Sequence, residues 1–133
     1  MTVQIYPDIK IDKKRDSLKK EESLEFSYIE SQLSEMGIPF SPISWTDRFL
    51  IAEDLQNYFA EILASYSLLE LMEEDKDKPD INKMEIWDGI CLNVIRERNK
   101  YYQYNYNLQK EQQLLLWLMK EYKILENLRN NEI

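Results

Sequence analysis

The residues of this chain whose types and spacing could do chemistry are carboxylates. Glu70-x-x-Glu73-Glu74 is followed, after a short charged stretch, by Glu85-x-x-Asp88. Side chains three apart share a helix face. Two such pairs on antiparallel neighbours would therefore set Glu70, Glu73, Glu85 and Asp88 around a divalent ion such as Mg²⁺, a hard cation that takes oxygen ligands. Other catalytic groups are scarce. The chain has no histidine, which removes the usual general base, the commonest zinc and iron ligand and every Ser–His or Cys–His nucleophile. Cys91 is the only cysteine, so an internal disulfide is impossible, and its neighbours Ile90 and Leu92 mark a buried, inert thiol. Two isolated glycines, Gly37 and Gly89, cannot build a phosphate-cradling loop.

The carboxylate pattern is similar to the magnesium site of the all-α nucleotide pyrophosphohydrolases, in which EExxE on one helix is followed by ExxD on the next. The segment EIWDGICLNVI (85–95) resembles that second helix in its apolar rhythm. The resemblance implies Mg²⁺ as cofactor and pyrophosphate release from a nucleoside triphosphate. In this register Ser67 and apolar neighbours stand where the family's opening glutamates would be. Glu21-Glu22-x-x-Glu25 matches EExxE but lies far upstream of Glu85. In so acidic a chain the four carboxylates read first as solvated helix-end groups, with no catalytic residue and no cofactor assigned.

Two further clusters suit binding rather than reaction. Tyr101, Tyr102, Tyr104 and Tyr106 follow Arg96, Arg98 and Lys100. Aromatics beside basic residues can stack nucleic-acid bases, but tyrosine is equally the residue of protein interfaces, offering apolar area and one hydroxyl. Beyond them, LLLWLM (114–119) is apolar almost all around a helix and must be covered on several sides. The surplus is expected to be buried by the chain itself, by a second copy or by a partner. Tyr102, Tyr104, Tyr106, Trp117, Leu118 and Tyr122 are the expected interface residues.

These groups need elements to hold them. With two glycines and four prolines in 133 residues, turns are few and elements long, which predicts an all-α class. Residues 80–133 contain no proline and a single glycine, Gly89, and apolar side chains recur there every three or four positions, a coiled-coil-like rhythm. A helix of ~50 residues would span ~75 Å, although Asn105 and Asn107 leave room for a kink or a break. The expectation is an antiparallel three-helix bundle in one domain. A short extended arm (1–15) leads into helices over 16–36, 46–74 and 80–131. Asp16 or Ser17, Thr46 or Ser44, and Asp80 or Asn82 are the candidate caps, and Gly37 is the stop of the first helix. Ile38–Trp45, with Pro39 and Pro42, reads as an apolar loop closing over helix ends.

The net charge is −8, and its distribution matters more than its sum. Residues 1–20 carry a net +3 and residues 81–133 a net +1, while 21–45 and 46–80 carry −5 and −7. Such acidity disfavours direct nucleic-acid binding. The first residues lack an apolar signal core, and the longest apolar run falls far short of the ~20 residues a bilayer span needs, so the expected setting is cytoplasmic with no membrane partner. The function expected on these grounds is a non-enzymatic helical protein–protein interaction module. It would act as a homo-oligomer or as a small subunit, adaptor or inhibitor of a larger complex. The alternatives are the Mg²⁺-dependent hydrolase and a helical subunit, or acidic blocker, of a nucleic-acid-processing complex.

Overall fold

A computed structural model of the chain describes residues 22–132. The expected arm (1–15) and the expected cap at Asp16 or Ser17 lie outside the described residues. Those described form five helices and no strand: α1 (Phe26–Glu35), α2 (Pro42–Thr46), α3 (Arg48–Glu74), α4 (Ile81–Gln103) and α5 (Leu108–Glu132).

Helix α1 begins later than the sequence pattern predicts. Ser23–Glu25 is not helical, because the backbone there is claimed by a distant side chain. Leu24 N donates to Gln112 Oε1 at 2.8 Å and Ser23 Oγ donates to the same oxygen at 3.1 Å. A helix through these residues would need that N–H for its own ladder. At the other end the expected glycine stop is present. Gly37 has φ +72°, Ile38 N donates to Leu33 O at 2.9 Å and Gly37 N to Ser34 O at 3.0 Å, the paired bonds that close a helix through a left-handed residue.

The stretch expected as a loop contains a helical turn, α2. Pro42 stands at its first position, where a missing N–H costs nothing and φ is already set for a helix; proline starts the turn here instead of preventing one. Trp45, at 4 % exposure, drives into the core from it. The cap of α3 is Asp47 rather than Thr46 or Ser44. Its carboxylate accepts from Phe49 N at 2.9 Å and Leu50 N at 3.3 Å, adding negative charge at the positive end of the helix dipole.

The helix expected over 80–131, with room for a break at Asn105 and Asn107, is two helices. α4 ends at Gln103, Tyr104 turns extended (φ −114°, ψ 151°), and Asn107 Oδ1 caps α5 by accepting from Lys110 N at 2.8 Å. The asparagine that interrupts the apolar stripe thus serves as a helix start, and the chain reverses instead of extending as a rod.

Cross-chain contacts give the helix directions. Lys83 reaches Glu73 and Trp87 stacks near Tyr66, while Tyr101 lies near Phe59, so α4 runs antiparallel to α3. Arg48 pairs with Glu111, Tyr58 meets Tyr122, and Arg129 reaches Glu61, so α5 runs parallel to α3. Helix α3 is the common neighbour: α4 and α5 each pack along it but scarcely against one another, while α1 rests on α5. The core between them is made by Ile51, Leu55, Phe59, Ile62, Tyr66 and Leu69 of α3 with Trp87, Val94, Leu115, Leu118 and Leu125.

Gln112 has no exposed surface, and its amide ties three segments together: besides Ser23 and Leu24, its Nε2 donates to Trp45 O. Gln112→Ala strands the buried Trp45 carbonyl and the half-buried Leu24 N–H and leaves a void. The expected loss is about 2–4 kcal/mol, read as a lowered urea midpoint, with the amide of Leu24 losing its protection from hydrogen exchange. An unchanged midpoint would mean that the amide holds nothing in place.

Candidate functional site

Of the four carboxylates read as a metal set, the structure brings two together. Glu70 on α3 hydrogen-bonds Asp88 on α4. Glu73 is turned away from them and buried at 3 % exposure in the α3–α4 turn, where it accepts from Lys76 Nζ and from Asp80 N, each at 2.9 Å. Those donors, above all the backbone one, hold its carboxyl below the ordinary range. Glu85 stands exposed. Among the described residues no group of three or more His, Cys, Asp or Glu side chains is placed to hold a metal ion. The helical spacing is as expected, but the tight turn has its own unfilled donor, and Glu73 goes to it.

Desolvation, then the bond and charge of Asp88, push the Glu70 carboxyl up to about 7. Burial, and then these same two carboxylates, raise the Cys91 thiol to about 11, which keeps it protonated and unreactive.

The aromatic residues gather elsewhere. Because α4 and α5 diverge from the 104–107 turn without packing together, a surface groove of about 670 Å³ lies between them, within the ~300–1,000 Å³ of ordinary binding clefts. Tyr104, Tyr106, Leu114 and Trp117 give it apolar lining, with Asn93, Glu97, Lys100, Lys110 and Gln113 around them. Lys100 Nζ lies 3.3 Å from Glu97, and Lys110 Nζ sits 5.7 Å over the Tyr106 ring, a cation–π contact. Trp117 and Gln113 also border a second groove of about 660 Å³ on the α1 side of α5, with Glu22, Glu25, Tyr28 and Lys120.

The groove is fixed from beneath. Arg48 Nε donates to Glu111 Oε1 and an Arg48 terminal nitrogen donates to Tyr106 O, both at 2.7 Å. Tyr101 Oη donates to Glu111 Oε2 at 3.2 Å, and its ring meets that of Tyr106 edge-on, 5.5 Å between centroids. Backbone and ring of Tyr106 are thus each held by a different helix. Burial first, and then the Glu111 carboxylate, raise the Tyr101 hydroxyl above its ordinary range, so it remains a donor.

The six expected interface residues divide three ways. Tyr104, Tyr106 and Trp117 line the groove. Tyr102 is exposed on α4, against Tyr101. Leu118 has no exposed surface and belongs to the core, while Tyr122 packs edge-on to Tyr58 between α5 and α3 at 5.5 Å. Asn93, Glu97, Lys110 and Gln113 were not singled out by sequence; of the wall Asn93–Glu97–Lys100–Tyr104, only Lys100 and Tyr104 belong to the basic and tyrosine cluster noted there. The wall's steps of four, three and four carry a signal, but it names a helix face and not what stands opposite. Comparison with protein-family models, curated proteins and solved structures finds no match.

The Glu70–Asp88 pair has a consequence for stability. Below the ordinary carboxyl range Glu70 is protonated whether folded or not. As pH rises towards about 7, the unfolded chain releases the proton first and the folded state loses ground. Glu70→Gln is therefore expected to raise the thermal midpoint at pH 8 and to leave it nearly unchanged at pH 4, by scanning calorimetry at both. Equal shifts at the two pH values would remove the pairing as the cause.

Proposed function

We propose that this chain is a non-enzymatic helical interaction module whose docking face is the groove between α4 and α5. The observation that carries the reading is the convergence of Tyr104, Tyr106 and Trp117 on one open cleft whose floor is locked by the Arg48–Glu111–Tyr101 network. Rigid aromatic anchors give large contact area at small entropic cost, and such side chains dominate binding energy at protein interfaces. A third helix laid between α4 and α5 would complete the packing that those two withhold from each other, in the manner of an amphipathic helix seated in a groove.

Charge selects the occupant. In a chain of net charge −8, this cleft carries two lysines against one glutamate, and that glutamate is paired with Lys100. Arg96 adds a further positive charge on the same wall through its bond to Asn93 at 3.1 Å. The fitting ligand is an amphipathic helix with aliphatic anchors and an acidic flank, drawn in by charge and held by apolar burial. The absence of histidine from the chain and the diversion of Glu73 into a turn favour binding over hydrolysis.

Trp45 and Trp87 are buried and Trp117 half-buried, so indole emission can follow the groove. A synthetic acidic amphipathic peptide is expected to blue-shift the emission saturably and more weakly at high salt. A charge-reversed twin should leave it unmoved, and Trp117→Phe should abolish the response. Silence with both peptides would refute the docking face.

A further inference from the structure

The groove is one half of a complementary pair carried on a single chain. At the far end of the bundle, the last turns of α3 carry exposed apolar side chains. Among the described residues, the polar contacts of α5 furthest along α3 are Arg129 to Ser65 and Glu61, each at 3.5 Å, and α3 continues to Glu74. On that extension Leu68 and Leu71 are 57 % and 59 % exposed and Met72 is 38 % exposed. The steps of three and four put them on one face. From Phe49 to Asp75 the chain has seven carboxylates and no basic residue, so this aliphatic ridge stands on an acidic helix.

Resting on the docking face argued above, we propose that the occupant of the α4–α5 groove is this ridge from a second copy of the chain. Charge is complementary: an acidic helix meets a cleft rimmed by Lys100 and Lys110. Shape chemistry agrees as well. Leucine and methionine side chains suit an aromatic cleft, the thioether making favourable contacts at ring edges. The ridge and the groove lie at opposite ends of α3, since α4 and α5 join beside its N-terminal half and the ridge occupies its last turns. The contact is therefore head-to-tail, with each copy using a different surface, and such contacts form rings where the rotation closes and chains where it does not.

A head-to-tail contact has a decisive test, because its two faces can be disabled separately. One variant, Lys100→Glu with Lys110→Glu, spoils only the groove; the other, Leu68→Lys with Leu71→Lys, spoils only the ridge. All four positions are exposed, and Leu71→Gln alone serves as a milder ridge variant should the double one lose its helical circular dichroism. Light scattering coupled to gel filtration is expected to show the unaltered chain gaining mass with concentration and either variant alone as a monomer. An equimolar mixture of the two variants should have the mass of two chains, since each supplies the face the other lacks. A monomeric unaltered chain, association that survives in either variant, or a mixture that stays monomeric would each overturn the proposal. Should the acidic peptide still shift Trp117 emission in that case, the docking face stands and the second copy is the wrong occupant.

Discussion

The first turn of α5 must bury two adjacent polar side chains, Glu111 and Gln112, and the arrangement of the rest follows from where each finds partners. At 5 % and 0 % exposure neither keeps water for company, and an unpaired buried carboxylate or amide is among the costliest defects a small core can carry. Gln112 meets the need by drawing in Ser23, Leu24 and the Trp45 carbonyl. That fixes the segment before α1 and the turn α2 against the same spot. Glu111 takes Arg48 from α3 and Tyr101 from α4. Two neighbouring residues on one helix thereby orient every other helix of the bundle.

The same node explains why the bundle is uneven. Arg48 spends one of its donors on the Tyr106 carbonyl, which holds the 104–107 turn against α3 instead of letting it close over α5. α4 and α5 are pinned at their shared end and splay from there. Three helices in mutual contact would have hidden Trp117; here it is left half-covered between two grooves. An ion pair of this kind adds little net stability beside apolar packing of the same volume, but it sets the angle at which the aromatic cleft opens.

Much of the fold was legible in the residues. Gly37 announced the end of α1, Asp80 the start of α4, and the charged break around Pro79 the reversal between α3 and α4, because each acts through its own backbone. What could not be read was decided at long range. The delayed start of α1 depends on Gln112, remote in sequence, and no local preference encodes that. Pro42 reads as a breaker until its place at a helix start is known, and Glu73 reads as a partner of Glu70 until the turn's Asp80 N–H claims it. For the site, the tyrosine-rich segment and Trp117 drew notice by composition. Asn93 and Glu97 beside them did not, because a groove is a relation between helices, and the periodicity of one helix says nothing about its distance from the next.

The parallel course of α3 and α5 bears on the order in which the molecule assembles. α3 and α4 meet through a short turn, so their contacts are near in sequence, while the α3–α5 contacts join residues 63 and 64 apart, and the Leu24–Gln112 bond spans 88. Closing loops of that length costs entropy before any contact repays it. During synthesis both partners of the α3–α4 contacts are present while the helix that completes the bundle is still being made. Leu24 can take its place only once Gln112 has been translated and docked. The earliest-made of the described residues are thus among the last to settle, and the nascent chain carries the uncovered apolar face of α3 until its C-terminal helix arrives.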